Sequence, residues 1–160
     1  MARQTPDGIL KVHWVPTIAS VTAPTVAELA AGTELTPFLA PAGLLTPDEG
    51  TEADASDLSS VRDKSIPSTV GGNVEGEFYR DDTTDTAWTT LTRDATGYIL
   101  SAPFGGTGTD NALIATDACE VWTVRVSNRN PNRYTRGDSM RFTSTFTSTA
   151  DPEFSATVTA

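Results

Sequence analysis

The sequence has very few of the side chains on which most enzymes and metal sites depend. Among its 160 residues there is one histidine, His13, and one cysteine, Cys119. A Ser/His/Asp or Cys/His arrangement would therefore have to use His13, and the ligand spacing typical of zinc sites is absent. A lone cysteine also excludes an internal disulfide. Both residues lie in apolar, strand-like stretches, where a structural histidine and a small core residue are the expected roles.

Long apolar runs are also missing. No window approaches the roughly 18 apolar residues that a transmembrane helix requires. The first ten residues, MARQTPDGIL, lack a charged segment followed by an apolar run and a small-residue cleavage site, so no secretory signal is expected. The sequence therefore predicts a soluble protein with no membrane partner.

Basic residues are scarce: the chain has 11 of them against 21 acidic residues, and its net charge is −10. The imbalance is concentrated in residues 48–94, which hold twelve acidic and four basic residues. Five of the nine arginines cluster near the C-terminal end: Arg125, Arg129, Arg133, Arg136 and Arg141. Net negative charge disfavours gripping nucleic acid, because backbone affinity comes from Lys and Arg. Separate acidic and basic zones suit head-to-tail association of identical copies, with a merely soluble acidic surface as the alternative.

The stretch TPDEGTEADASD, residues 46–57, is the most acidic part of the chain. Its carboxylates are Asp48, Glu49, Glu52, Asp54 and Asp57. Their order does not match the calcium-binding loop of helix-loop-helix proteins, so a cation site is the weaker interpretation. Residues 41–72 show no sustained periodicity and are predicted to form one long loop. Since loops beyond about 12 to 15 residues are uncommon in compact domains, we expect this loop to be ordered by contact with a partner.

The first half of the chain otherwise predicts a strand at ILKVHWV and a short helix at Val26–Ala31. Thr25 and Glu28 have the spacing of a capping box, and Gly32 ends the helix. GTELTPFL reads as a second strand, broken by its proline.

The segment GNVEGEFYRDD alternates as a half-buried strand. A helix of about three turns is predicted to follow it, capped by Thr83 or Thr84, with Ala87, Trp88 and Leu91 toward the sheet.

Three further strands are predicted in the last third: YILSAPF, CEVWTVRVS and SMRFTSTFTSTA, and the tail FSATVTA suggests one more. In CEVWTVRVS the inward residues are Trp122, Val124 and Val126. In SMRFTSTFTSTA they are Met140, Phe142 and Phe146.

The strand that starts at Phe142 carries no charge up to Thr149, although soluble proteins usually guard a sheet edge with charged residues or bulges. Two explanations stay open. Either the strand pairs with another subunit through Phe142, Thr143, Thr145 and Thr147, or it is a central strand of its own sheet.

Other short motifs carry little chemistry. GGTGTD has glycines but no following Lys-Ser/Thr, so a phosphate loop is disfavoured. The tripeptide Arg136-Gly137-Asp138 in a polar turn occurs by chance. Glu75 and Glu77 occupy alternate positions of one strand, which does not by itself make a glycosidase cleft. No catalytic, metal or cofactor site is predicted, and the protein is not expected to be an enzyme.

The order of elements resembles the major tail tube proteins of long-tailed, siphovirus-type bacteriophages, especially those infecting actinobacteria. The resemblance is carried by PTVAELAAGTEL, by FYRDDTTDTAW and by the two long C-terminal strands, and it covers about residues 12–149. It is one of architecture and sequence texture, without an invariant signature.

The resemblance implies a mainly β fold of the tail tube type, a β-sandwich or barrel with one flanking α-helix, a short capped helix and a long inter-subunit loop. Residues 1–160 would form a single domain with an N-terminal arm (1–8), the long loop (41–72) and a C-terminal arm or strand (150–160). Six subunits would form a ring, and stacked rings a tube that conducts DNA into the host without binding it specifically.

The expected partners are other copies of the chain, the tape measure protein and the tail terminator. The expected location is the virion tail, and the host cytoplasm during assembly. The acidic loop would contact a neighbouring ring, where its carboxylates pair with arginines 125–141 of adjacent subunits. Exposed ion pairs contribute only about 0 to 1 kcal/mol each, so they would set register more than strength. A capsid decoration protein, or another monomeric or trimeric virion module, is the alternative.

Overall fold

A computed structural model of the chain describes residues 8–45, 48–54, 65–132 and 134–160, and within 45–71 it describes the backbone alone. The strands are β1 (Lys11–Val15), β2 (Thr33–Glu34), β3 (Leu39–Leu45), β4 (Asp48–Asp54), β5 (Ser65–Tyr79), β6 (Thr96–Ala102), β7 (Ala118–Pro131), β8 (Arg141–Ser148) and β9 (Glu153–Thr157). The helices are α1 (Val26–Ala31) and α2 (Thr86–Thr90), with short 3-10 turns at Thr36–Phe38 and Thr109–Asn111. The mainly β prediction is confirmed.

The nine strands of the described ranges belong to one antiparallel sheet. Its order is β2-β1-β6-β7-β8-β5-β3, while β4 extends the sheet along β5 and β9 extends it along β7. The long strand β5 pairs on one side with β3 and then β4, and β7 pairs on one side with β9 and then β8. These two strands therefore connect most of the sheet.

The sheet curls around a first core. Phe78, Phe142 and Phe146 are fully buried there, together with Trp14 and Trp122. The rings of Phe78 and Phe142 stack with centroids 5.5 Å apart. These aromatic residues come from β1, β5, β7 and β8, so this core holds the two halves of the curled sheet together.

A second core lies on the opposite face of β1, β6 and β7. Leu29 of α1, Leu113 of the loop between β6 and β7, and Val158 of the C-terminal segment cover Leu100 and Val121 of the sheet. Strand β6 is consequently buried on both faces, and every residue from Ile99 to Ala102 is buried.

Helix α1 forms where the sequence predicts it. The Thr25 hydroxyl accepts a hydrogen bond from the Glu28 N–H, and the Glu28 carboxylate accepts one from the Thr25 N–H. The helix ends at Gly32. The capping-box prediction is therefore confirmed in both residues.

Helix α2 differs from its prediction. It spans only Thr86–Thr90, and its N-cap is Asp85, which adopts a left-handed conformation and makes no side-chain cap. The Asp85 carboxylate instead accepts from the Arg80 guanidinium. Neither Thr83 nor Thr84 caps the helix, because both precede the N-cap position, and their hydroxyls donate to Asp82 and Asp81. Threonines leave the segment little intrinsic helix propensity, which accounts for its shortness.

The predicted loop over residues 41–72 is wrong for most of its length. Residues 41–45 belong to β3, residues 48–54 form β4, and residues 65–72 form the first half of β5. β4 runs antiparallel to β5, with Asp48 opposite Gly72 and Asp54 opposite Ser65. The sequence gives no periodic signal here because β4 contains a single apolar side chain, Ala53, and the first half of β5 is interrupted by Pro67, Gly71 and Gly72.

Strand β8 is a central strand. It pairs along β5, from Asn73 opposite Thr147 to Tyr79 opposite Arg141, and along β7 on its other side. Of the two explanations left open by its uncharged sequence, the central one is correct. Pairing of Phe142, Thr143, Thr145 and Thr147 with another subunit is excluded for the backbone, because both edges are occupied.

Met140 is the second correction in this region. It precedes β8 and is 61% exposed, whereas Phe142 and Phe146 point into the core as predicted. Met140 lies outside the strand, so the period-two pattern does not govern it.

Among the described residues, no helix is long and apolar enough to cross a membrane.

Candidate assembly surfaces

One part of the sheet is a ribbon of only two paired strands. We use "the ribbon" for β4 and residues 65–72 of β5. Pairing of β5 with β8 begins only at Asn73, and with β3 at Glu75. Within the described ranges, each ribbon strand therefore has one partner and one open edge. Open edges are templates for another strand, and an isolated two-stranded hairpin is marginally stable in water.

Four of the predicted contact residues lie on the ribbon: Asp48, Glu49, Glu52 and Asp54, all on β4. Asp57 falls outside the described residues. Residues 48–54 contain four acidic side chains and no basic one, so the ribbon presents a strand of concentrated negative charge.

The arginines predicted to receive this charge are placed less uniformly. Arg125 makes an exposed ion pair with Asp94 at 2.8 Å. Arg141 lies 3.2 Å from Asp138 and 3.5 Å from Glu77. Arg125 and Arg141 thus already have carboxylate partners inside the chain.

The other three arginines differ. Arg129 contacts Trp88, and Arg136 is exposed on the turn between β7 and β8. Across the described ranges, neither Arg129 nor Arg136 has a carboxylate within ion-pair distance. Arg133 falls outside those ranges.

Trp88 lies at the centre of a cationic-aromatic patch, a name we use for Arg80, Trp88, Arg129, Tyr134 and Met140. The guanidinium carbons of Arg129 and Arg80 lie 3.8 and 4.2 Å from the Trp88 ring centroid. Asp85 raises the pKa of Arg80, and the Tyr134 phenol adds to that effect, which places Tyr134 beside Arg80. The Arg80 N–H donates to the Met140 carbonyl at 2.9 Å.

The exposure of the patch distinguishes it from a core. Tyr134 is 58% and Met140 61% exposed, while Trp88 is half-buried and contacts Phe142 edge to face at 5.1 Å. Trp88 packs against the first core as predicted, but it also forms the centre of this exposed patch, whereas Met140 was wrongly predicted to lie in the core. The signal that the sequence analysis missed was the placement of Arg80 and Arg129 next to Trp88 in space, which no local spacing reveals.

A third surface is the polar face of the central strands. Thr143, Thr145 and Thr147 alternate with the buried residues of β8, and their partners on β5 are Glu77, Glu75 and Asn73. The Thr143 hydroxyl donates to Asn132, whose amide donates to Glu77. No described element of the chain pairs over this face, and Thr147 is exposed.

The loop between β6 and β7 is organised around the Asp117 carboxylate. The Asp117 carboxylate accepts from the Thr107 hydroxyl at 2.7 Å, the Ile114 N–H at 2.8 Å and the Thr107 N–H at 3.1 Å. Burial acts to raise the pKa of Asp117, but these hydrogen bonds outweigh it, and the pKa lies below its ordinary value. Phe104 stands 70% exposed at the start of this loop.

The single histidine and the single cysteine of the chain each lie on a strand of the sheet. His13 lies on β1 beside the Lys11–Glu34 ion pair, in a cleft of about 400 Å³. Burial lowers the pKa of His13, which Glu34 opposes and Lys11 reinforces. Cys119 is buried in the second core, and burial raises its pKa to about 11. No group of three or more His, Cys, Asp or Glu side chains suited to a metal occurs among the described residues.

Comparison with known proteins gives a consistent picture. The model of a family described as phage tail tube protein matches residues 1–160. No curated protein matches the chain in sequence.

Among solved structures, the chain is similar to one in the virion of a native gene transfer agent particle. The TM-score is 0.57 at 10% identity, over 97% of this chain and 100% of that one. A chain in the sixfold-symmetric tail of an empty gene transfer agent particle gives the same values. A chain in the sixfold-symmetrised baseplate of an anti-feeding prophage gives a TM-score of 0.54 at 10% identity, over 96% of both chains. At this identity the likeness concerns the fold.

Proposed function

The chain belongs to the phage tail tube protein family, and we propose that it assembles into stacked hexameric rings that form the DNA conduit of a phage tail. The tail tube role follows from the family. The sixfold ring, its stacking and the passage of DNA are our proposal, which the sixfold symmetry of structures with the same fold supports.

The observation that carries the proposal is the ribbon. Each of its two strands pairs with the other alone and leaves one edge open within the described ranges, and a two-stranded pairing by itself is only marginally stable in water. Another subunit that pairs with an edge or covers a face supplies the missing contacts. A ring or a stack of rings provides such a neighbour to every copy.

The polar face of β5, β8 and β7 fits the lining of a conduit. It carries hydroxyl, amide and carboxylate groups, and its arginines Arg125 and Arg141 are each paired with carboxylates of the same chain. DNA is held by cations that neutralise phosphates, so a face of this kind lets it slide. We place this face toward the channel.

The finer identity of the assembly is part of the same proposal. We propose a long-tailed, siphovirus-type phage with an actinobacterial host, assembly in the host cytoplasm, and contacts with a tape measure protein and a tail terminator. The resemblance of PTVAELAAGTEL and FYRDDTTDTAW to such proteins supports this assignment.

Electron microscopy of the purified protein at high concentration tests the assembly directly. We expect rings or tubes, and native mass measurement should give multiples of six subunits. A stable trimer or a persistent monomer would instead favour a capsid decoration protein or a similar virion module.

A variant that lacks residues 48–71 tests whether the ribbon is needed for assembly. It removes the ribbon but leaves the pairing of β5 with β8 and β3, which begins at Asn73 and Glu75. The variant should stay folded, with wild-type near-UV circular dichroism, and should not form tubes. If it polymerises normally, the ribbon is not an assembly element; if it unfolds, the ribbon belongs to the core.

A further inference from the structure

The cationic-aromatic patch has the composition of a protein-binding hot spot. Trp, Tyr, Met and Arg are the residues enriched at interfaces, and Trp, Tyr and Arg dominate their energetics. Here they converge from three elements: Arg80 follows β5, Trp88 is in α2 and Arg129 is in β7. Tyr134 and Met140 border them and are largely exposed.

The chemistry of the patch selects a carboxylate-bearing partner. The Arg129 guanidinium lies over the Trp88 ring at 3.8 Å and donates to the Trp88 carbonyl oxygen, contacts that hold it in place without neutralising its charge. Guanidinium groups held in this way bind carboxylates with directional hydrogen bonds. Arg136, on the adjoining turn, also has no carboxylate partner across the described ranges.

Asp81 and Asp85, which shortly precede Trp88 in the chain, already have hydrogen-bond partners. Asp85 is bonded to Arg80. Asp81 accepts from the Thr83 N–H at 2.9 Å and the Thr84 hydroxyl at 3.0 Å. The local carboxylates are therefore turned toward their own segment rather than toward Arg129.

The chain's own acidic strand cannot supply the missing charge. The ribbon occupies residues 65–72 of β5, whereas the patch begins at Arg80, just past the other end of the same strand. At about 3.3 Å per residue, Gly72 and Arg80 are about 26 Å apart. Asp48, opposite Gly72, is the β4 carboxylate nearest to the patch, and the other acids of β4 lie farther away.

Two complementary surfaces at opposite ends of one strand describe a head-to-tail contact. Such a heterologous contact repeats indefinitely unless it closes into a ring. We propose that the cationic-aromatic patch of one subunit, with Arg136, binds the acidic strand β4 of a second copy of this chain, and that this contact stacks the subunits along the tube. The proposal rests on the proposed function for its setting and deepens it by naming the surface that receives the ribbon.

Tyr134→Ala and Arg136→Glu test the receiving surface. Both residues are exposed, so the variants should fold like the wild type. Loss of a hot-spot side chain weakens the binding free energy of an interface. Each variant should therefore raise the critical concentration for tube formation about tenfold or more. Phe104→Ala and Arg125→Glu are the matched controls, an exposed aromatic and an exposed arginine outside the patch, and should polymerise at the wild-type concentration.

A mixing experiment tests the pairing itself. The variant E49Q/E52Q weakens the acidic strand and keeps the patch, while Tyr134→Ala/Arg136→Glu does the reverse. Neither should elongate alone. Mixed in equal amounts, they share one intact junction, so sedimentation should show a complex of twice the starting size and no longer assemblies.

The outcomes separate this inference from the proposed function. If the wild type forms tubes and the patch variants polymerise equally well, or if the mixture forms no complex, the patch is not the receptor for β4. If the two variants pair while the wild type forms neither rings nor tubes, the contact is correct and the hexameric tube is wrong.

Discussion

The guanidinium of Arg129 lies 3.8 Å from the centre of the Trp88 ring and donates a hydrogen bond to the Trp88 carbonyl oxygen. Arg80 also lies over this ring, at 4.2 Å. Helix α2, which contains Trp88, has five residues, too few to be stable by its own hydrogen bonds. Side-chain contacts with β7 and with the end of β5 therefore hold it in place.

Arg129→Lys should lower the free energy of unfolding by about 0.5 to 1 kcal/mol. Lysine keeps the charge but loses the planar group that stacks on Trp88. Urea denaturation at a concentration below self-association measures the change. Arg125→Lys is the control, because its exposed ion pair with Asp94 contributes about 0 to 1 kcal/mol and tolerates the exchange. Equal effects of the two substitutions would argue against the Trp88 contact.

Asp117→Asn should destabilise the fold by about 2 kcal/mol at pH 7, because the carboxylate accepts hydrogen bonds from two N–H groups and a hydroxyl. Since the pKa of Asp117 in the fold is lowered from 3.8, its stabilisation is complete above that value and is lost as the pH falls through the lowered pKa. The difference between wild type and variant should therefore be constant at neutral pH and shrink in acid.

Thermal unfolding of both proteins between pH 7 and pH 3 measures this dependence. Asp110→Asn is the control on the same loop, since Asp110 has a φ of 55°, a conformation that Asn also tolerates. A difference that grows in acid would contradict the assigned hydrogen bonds.

Cys119 should not react with a thiol reagent at pH 8 in the folded protein. It is 2% exposed, and burial, with smaller contributions from Glu120 and Asp117, raises its pKa to about 11. Little thiolate is present at that pH, and the thiolate is the reactive form. The labelling rate in increasing urea should follow unfolding, and fast labelling without urea would place Cys119 outside the second core.

Thr25→Ala should lower the free energy of unfolding by about 1 kcal/mol, the usual effect of removing an N-cap side chain. The Thr25 hydroxyl accepts from the Glu28 N–H at 3.2 Å and donates to the Glu28 carboxylate at 2.9 Å. Chemical denaturation measures the loss. Thr22→Ala, an exposed substitution three residues earlier, should change stability by less than about 0.5 kcal/mol.

Elements with a strong local cause were predictable from the sequence. The capping box fixes α1 to within a residue, because both halves of the motif are three positions apart in the chain. Alternation places Trp122, Val124 and Val126 of β7 in the first core, because one face of that strand is buried there.

Elements that depend on distant partners were not predictable. Strand β4 has one apolar residue among its seven, so it carries no alternation from which a strand could be inferred. The central position of β8 depends on β5 and β7 lying on its two sides. The patch around Trp88 arises only when residues 80, 88 and 129 meet, which is a property of the folded chain.

Strand β7 has a mechanical consequence for a filament built from this protein. It spans Ala118–Pro131 and contributes to both cores, and one of its sides pairs first with β9 and then with β8. A pull on the ribbon of one subunit passes along β5 into β8 and from there into β7. Because these neighbours are antiparallel and loaded along their length, many backbone hydrogen bonds resist together instead of opening in succession. Within one subunit, the sheet therefore resists a pull along β5 more strongly than a pull that separates its strands one bond at a time.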